Sequence, residues 1–163
     1  MTEWRALAGP DVAELALRLR SLDWSWQLAD VPALAVDFGW TIGTTYQYSV
    51  SVGTELGPRT GSVSGRSETA DDISIRVTDY ADDDSNGRGH VRDAFANMTS
   101  AIISALGPPT LRIPGEDAEI RWAGTETTLR LRDLASCVSL YLFTNSALDL
   151  EDRVSALDEQ GLL

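Results

Sequence analysis

Apolar residues recur every three or four positions in four parts of the chain, and this spacing predicts four helices. The first covers residues 10–21 and carries Pro10 in its first turn, where a missing N–H is tolerated. The second covers residues 31–38, between a capping Asp30 and Gly39. The last begins after Asn145 or Ser146. The apolar positions of the two longer helices are Val91, Phe95, Met98, Ile102 and Ala105, then Leu150, Val154 and Leu157.

Between these helices the apolar positions alternate, which predicts strands with one face buried. From residue 40 to 52 one parity carries Trp40, Ile42, Tyr46, Tyr48, Val50 and Val52. We expect this segment to be one strand, followed by strands at 59–67 and 73–77 in a three-stranded meander. Further strands are predicted around 111–113, 119–123, 129–131 and 138–142.

The order of these elements indicates the fold class. Helices and runs of adjacent strands without a Pro- or Ser-rich linker predict a single α+β domain over residues 1–163. We expect a mainly antiparallel sheet of about six strands, with N-terminal, central and C-terminal helices packed on one face. The parity places Trp40 and Trp122 in the core, whereas Trp24 and Trp26 are open to either a core or a binding role.

Composition narrows the function classes. The chain has 25 acidic and 13 basic residues, a net charge of -12 and a pI near 4.3. This charge disfavours binding to nucleic acid or to anionic membranes, and it suits either solubility alone or a cationic protein partner. Every basic residue is Arg, so Schiff-base chemistry and a P-loop lysine are excluded.

Features of the sequence also favour the cytoplasm. Cys137 is the single cysteine, so an internal disulfide is excluded. The N-terminus lacks the pattern of a signal peptide, and no apolar run approaches the ~20 residues that span a bilayer. We therefore expect a cytoplasmic protein.

Residues 82–93 match part of a calcium-binding loop. Asp82, Asp84, Asn86, Gly87 and Asp93 fall on positions 1, 3, 5, 6 and 12 of that loop. Three features oppose calcium: Gly89 replaces the usual apolar residue, the last ligand is Asp instead of Glu, and a predicted strand precedes the loop. The favoured interpretation is a solvated turn, and we expect no metal or other cofactor.

The residues for catalysis are sparse. His90 is the only histidine, and neither a Ser nucleophile elbow nor a Cys lies near it in the sequence. Cys137 is predicted to be an inert thiol in a strand. Glu116 and Asp117 could serve glycoside hydrolysis, but nothing in their spacing singles them out from the other surface carboxylates. We therefore expect a non-catalytic, protein-binding module and not an enzyme.

A connection between a predicted strand and the longest helix is the predicted binding site. Loops between rigid elements commonly carry function, and this one combines three carboxylates with an Asn-Gly pair that lets the backbone turn tightly. The predicted partner-binding residues are Asp82, Asp83, Asp84, Asn86, Gly87 and Arg88.

Several segments resemble a family of short, uncharacterised actinobacterial proteins. They are Leu22-Asp-Trp-Ser-Trp, residues 30–40, Ile75-Arg-Val-Thr-Asp79, Val91-Arg-Asp-Ala-Phe95 and Pro114-Gly-Glu with Glu119-Ile-Arg-Trp122. That family resembles in turn the immunity factors of secreted NAD-glycohydrolase toxins of the tuberculosis necrotizing type. The resemblance implies a stoichiometric inhibitor that occludes the NAD pocket of a toxin domain. The alternative is a secretion chaperone or adaptor, because the element order is similar to that of secretion-chaperone-like folds.

Overall fold

One antiparallel sheet of eight strands forms the centre of the molecule. The computed structural model describes residues 3–161. The strands are β1 Thr41–Thr45, β2 Ser49–Thr54, β3 Gly57–Gly65, β4 Ala70–Arg76, β5 Leu111–Ile113, β6 Glu119–Ala123, β7 Thr127–Asp133 and β8 Val138–Thr144. The helices are α1 Gly9–Arg20, α2 Val31–Phe38, α3 Ser85–Leu106 and α4 Asn145–Glu159, with a short 3-10 helix at Leu28–Asp30. The α+β class is confirmed, but the sheet has eight strands and not about six.

The strand order shows how two meanders join. The order is β1-β2-β3-β4-β8-β7-β6-β5, and every neighbouring pair is antiparallel. Strands β1 to β4 form the first meander and β5 to β8 the second, with α3 as the connection between them. Because β8 pairs with β4, these two strands join the meanders at the centre of the sheet. The edge strands are β1 and β5.

The predicted strand at residues 40–52 is wrong, since this segment is a hairpin. The backbone N–H of Tyr46 donates to the carbonyl of Ser49 at 2.8 Å, which closes the turn between β1 and β2. All of β1 is exposed, including Ile42, and Tyr46 and Tyr48 are 59% and 41% exposed. Only the β2 half of the predicted apolar face, at Val50 and Val52, is buried. Apolar residues occupy even-numbered positions on both sides of the turn. The alternation by itself therefore does not show that the segment is two strands.

The main core lies between the sheet and two helices. Val12, Ala16 and Leu19 of α1 and the buried face of α3 pack on the strands. The sheet contributes alternate residues of its central strands to this core. They are Val63, Ile73, Ile75, Leu129, Leu131, Leu140 and Leu142. Burying these side chains supplies the main favourable term for folding.

Helix α4 contradicts the expectation that all helices pack on one face. Phe143 has the opposite parity to Leu140 and Leu142, and it forms a second small cluster with Ala147, Leu148 and the half-buried Tyr141. The cap is also one residue earlier than predicted: the hydroxyl of Thr144 accepts a hydrogen bond from the N–H of Ala147.

The two shorter helices follow their sequence signals. Pro10 lies in the first turn of α1, and Gly39 ends α2 with a left-handed φ of 73°. Asp30 is at the cap position of α2, but its carboxylate accepts from Ser25 instead of the helix. In residues 3–161, none of the helices is both long and apolar enough to span a bilayer.

Candidate protein-binding site

The start of α3 divides the predicted binding residues into two groups. The helix begins at Ser85, so Asn86, Gly87 and Arg88 lie in its first turn and not in the predicted loop. Asp84 is the N-cap, and its Oδ1 accepts a hydrogen bond from the N–H of Gly87 at 2.7 Å. An Asp followed by Ser-Asn-Gly suits both a turn and a cap, and here the cap satisfies a backbone N–H that the helix leaves free.

Gly87 makes a close approach to its own chain. It is buried, and a Cβ added at this position would lie 2.0 Å from the carbonyl oxygen of Asp82. The first turn of α3 therefore packs directly on the preceding segment. This contact fixes the acidic segment against the first turn of the helix. It also buries Gly87, so Gly87 is not accessible to a partner.

Asp82, Asp83 and Asp84 are all exposed, and Asp82 and Asp83 are the two that do not cap the helix. The guanidinium of Arg88 lies 3.2 Å from the Asp83 carboxylate, with side chains 53% and 98% exposed. Ion pairs this exposed contribute little to stability and are screened by salt. Both carboxylates are thus accessible to solvent, and the Arg88–Asp83 ion pair is a weak one.

Tyr80 is an exposed aromatic residue beside these carboxylates. Its side chain is 67% exposed, and the guanidinium of Arg76 lies 4.3 Å from the centre of its ring. Tyrosine held in one orientation is a common anchor of protein interfaces because it adds a large contact area at a low cost in conformational entropy. We call Tyr80, Asp82, Asp83, Asn86 and Arg88 the Tyr80 surface.

Trp4 and Arg5 hold Asp79, the residue directly before Tyr80. Arg5 bonds Asp79 through its Nε at 3.0 Å and the carbonyl of Leu56 through Nη2 at 2.7 Å. The hydrogen bond from Arg5 is the main reason that the pKa of Asp79 is below its usual value. Trp4 donates its indole N–H to the Asp79 carbonyl at 2.9 Å. Trp4 and Arg5 are more than 70 positions from Asp79 in sequence, so no local pattern predicts these contacts.

Two grooves flank the start of α3. The first, of about 490 Å³, includes Tyr80, Asp82 and Asn86 among its lining residues. The second, of about 770 Å³, lies along α3 and is lined by Arg88, Arg92, Phe95, Glu116 and Asp117, among others. The predicted carboxylate pair Glu116 and Asp117 therefore shares a groove with two arginines. A protruding side chain of a partner can enter either groove beside the exposed carboxylates.

The remaining candidates for chemistry lie apart from this surface or at its margin. His90 is exposed, with its ring 5.3 Å from that of Trp4. Cys137 is buried, and burial raises the pKa of its thiol, which keeps it in the less nucleophilic protonated form. Residues 85–93 of the calcium pattern are helical and do not wrap round a point as a calcium loop does. Within residues 3–161, no three His, Cys, Asp or Glu side chains are arranged to hold a metal ion.

The two tryptophans left open by the sequence form a pair. Trp24 and Trp26 have ring centres 5.2 Å apart, and both are partly buried against the core. Trp26 has a left-handed φ of 58°, and its carbonyl accepts from the N–H of Ala70 at 2.7 Å. Trp122 is buried as predicted, whereas Trp40 is only partly buried and stacks on Phe38 at 4.4 Å.

A charged network ties α4 to the second face of the sheet. Arg121 bonds both carboxylate oxygens of Asp152 at 2.8 Å and also pairs with the buried Glu119. Arg130 is 4% exposed, donates to Glu151 at 2.9 Å and has its guanidinium over the rings of Tyr141 and Phe143. Removing one partner from so buried a network leaves an uncompensated charge, so these residues are assigned to structure.

The fold and the Tyr80 surface define an α+β protein built on one open antiparallel sheet, with a firm acidic and aromatic patch at the start of its longest helix. Residues 10–144 match the family of unknown function DUF6301, and the chain belongs to this family. The match ends at Thr144, directly before α4. Comparison with curated proteins and with solved structures gave no match.

Proposed function

We propose that this protein is a non-catalytic, cytoplasmic immunity factor that binds a secreted toxin domain through the Tyr80 surface. The observation that carries the proposal is the exposed Tyr80, which contacts Arg76 and lies next to the exposed carboxylates Asp82 and Asp83. Interfaces combine an aromatic anchor with a polar, charged rim in this way. The toxin as the partner comes from the resemblance to immunity factors of NAD-glycohydrolases.

Charge supports a basic patch on the partner. The chain carries a net charge of -12, and its exposed carboxylates attract a cationic surface over about one Debye length, roughly 8 Å at physiological salt. Tyr80 then supplies apolar contact area after the encounter. We therefore expect the carboxylates to act mainly on the association rate and Tyr80 mainly on the dissociation rate.

Surface plasmon resonance with an NAD-glycohydrolase toxin domain from the same genome tests these separate roles of the carboxylates and Tyr80. We expect Tyr80→Ala to raise the dissociation rate at least tenfold. The double change Asp82→Asn with Asp83→Asn should slow association, most visibly at low salt. Asp84 is left unchanged because its carboxylate caps α3.

A matched control keeps the same loss of charge at another place. Asp23→Asn with Glu68→Gln also changes two exposed carboxylates. Glu68 lies before β4 and Tyr80 after it, so the seven residues of β4 separate them by roughly 20 Å. Equal association rates for the two double variants would show a general charge effect, and an unchanged complex with Tyr80→Ala would remove Tyr80 from the interface.

The secretion chaperone is the second candidate. It is favoured by the exposed apolar side chains of α4, since chaperones hold unfolded chains through apolar surfaces. The two functions differ in the state of the partner. An immunity factor binds a folded, active toxin domain, whereas a chaperone binds the unfolded export substrate and releases it on folding.

A further inference from the structure

A short N-terminal segment, residues 4–7, runs beside the chain that follows β4. The N–H of Leu7 donates to the carbonyl of Val77 at 2.9 Å, and the N–H of Asp79 donates to the carbonyl of Arg5 at 2.7 Å. These two bonds run in opposite directions between the same two stretches of backbone. The N-terminal segment is therefore paired with the residues that lead directly to Tyr80.

The side chain of Arg5 connects this segment to the contact beneath Tyr80. Its guanidinium bonds the carboxylate of Asp79 through Nε at 3.0 Å and Nη2 at 3.3 Å. Arg76, whose guanidinium contacts the ring of Tyr80, lies 4.0 Å from the same carboxylate. One carboxylate thus links Arg5 both to the backbone before Tyr80 and to the arginine that contacts its ring.

Trp4 connects the same segment to α3. Its indole N–H donates to the carbonyl of Asp79 at 2.9 Å, and its ring centre lies 5.3 Å from that of His90. His90 is in α3, one turn after Asn86 of the Tyr80 surface. The N-terminal segment therefore contacts both of the elements that carry the Tyr80 surface.

The segment is held less firmly than the strand beside it. None of residues 3–8 is fully buried, and the side chain of Arg5 is 51% exposed. Val77, by contrast, is fully buried, and its N–H donates to the carbonyl of Val138 on β8 at 2.9 Å. Segments with few buried contacts open at a lower free energy than the core. Residues 4–7 can thus detach while the sheet stays intact.

We propose that residues 4–7 form a latch that controls the Tyr80 surface. While the latch is closed, Arg5 acts through Asp79 to keep Tyr80 in one orientation, and Trp4 joins this part of the surface to α3. Opening of the latch releases Tyr80 without unfolding the protein. As a control of partner binding the inference rests on the proposed function, but as a conformational property of the free protein it does not.

Hydrogen exchange of three backbone amides, followed by NMR, tests the latch without a partner. In the wild type, the N–H groups of Leu7 and Asp79 should be protected roughly tenfold less than that of Val77, because they open with the latch. Arg5→Ala should lower the protection of these two amides by a further factor of about ten, since it removes charge-assisted hydrogen bonds. The protection of Val77 should not change, and the ring-proton shifts of Tyr80 should move toward random-coil values.

Arg66 provides a matched control at the other end of β4. It pairs with Asp71 through Nε at 2.9 Å, with side chains 65% and 23% exposed, whereas Arg5 and Asp79 pair at 3.0 Å with 51% and 21% exposed. Arg66→Ala should leave the three amides and the Tyr80 shifts unchanged. Arg5→Lys keeps the charge but not the forked guanidinium, so it should give values between those of the wild type and Arg5→Ala.

Three results overturn the latch. Equal protection of Asp79 and Val77 in the wild type means that the segment opens only when the whole protein unfolds. Equal losses at these two amides in Arg5→Ala mean a general loss of stability. Tyr80 shifts that stay unchanged in Arg5→Ala, or that change as much in Arg66→Ala, mean that Arg5 does not orient Tyr80.

Surface plasmon resonance with the toxin domain then tests the effect on binding. Arg5→Ala should raise the dissociation rate by a factor of about five, and Arg66→Ala should not change it. An unchanged dissociation rate in Arg5→Ala, together with altered Tyr80 shifts, overturns the control of binding by the latch. A wild-type protein that binds no toxin domain contradicts the proposed function, whereas the exchange and shift measurements decide the latch by themselves.

Discussion

The residues of this protein divide between those whose role follows from local pattern and those whose role depends on distant partners. Trp122 is buried, as its parity predicts, and its indole N–H donates to the carbonyl of Gly107 at 3.1 Å. Trp40 shares the parity of β2 but lies before a turn and stacks on Phe38 at the edge of the core. Tyr80 has no periodic signal, and the one clue in the sequence is an aromatic residue within a polar, acidic run.

The two tryptophans should differ in their contribution to stability. Trp122→Ala removes a buried aromatic ring and its hydrogen bond to Gly107, which costs about 3–5 kcal/mol of the free energy of unfolding. Trp40→Ala loses contacts on one side only, and we expect about half that cost. Urea unfolding followed by circular dichroism measures both values. A loss for Trp40→Ala as large as that for Trp122→Ala would place Trp40 in the core after all.

Asp72 should make stability depend on pH. Burial, aided by Asp71 and Glu151, raises its pKa from 3.8 to about 7. Between these two values the folded state holds a proton that the unfolded state has lost. The free energy of unfolding therefore falls as pH rises from about 4 to 7, by at most roughly 4 kcal/mol.

The change Asp72→Asn tests this linkage. The amide cannot ionise, so the variant should keep the stability that the wild type loses as the pH rises. Urea unfolding at pH 5 and at pH 8 should show the variant gaining stability relative to the wild type at the higher pH. Asp23→Asn, at an exposed position, is the control and should show no such change. A constant difference between Asp72→Asn and the wild type across this range would mean that Asp72 ionises freely in the folded protein.

At the scale of the elements, the sequence predicts that a helix exists more reliably than where an element begins or ends. All four helices are where their apolar spacing indicates, and the bounds of α2 are those predicted. The errors lie at turns and caps: the 40–52 segment contains a turn of the same parity, and α3 begins at Ser85 because Asp84 caps it. The stripe of α4 is predicted correctly as a stripe, but periodicity does not say whether such a stripe meets the core, and here it meets solvent.

At the scale of the whole molecule, the two exposed surfaces have different origins in the sequence. The carboxylates of the Tyr80 surface are visible in the sequence, but the support of Tyr80 by Arg76, Asp79 and Arg5 exists only once β4 and the N-terminal segment are folded together. Pairing of β4 with β8 also brings the two meanders into one sheet. The one sheet thus carries both the Tyr80 surface at the start of α3 and the exposed half of α4.

The most direct test of the proposed function is the stoichiometry of inhibition. NAD hydrolysis by the toxin domain is measured while the protein is added at increasing molar ratio, well above the dissociation constant. A stoichiometric inhibitor lowers the activity linearly to near zero at about one equivalent, and Tyr80→Ala should require a clear excess for the same effect. Full activity in the presence of a tenfold excess of the wild-type protein, across the toxin domains of the same genome, would contradict the proposed immunity function.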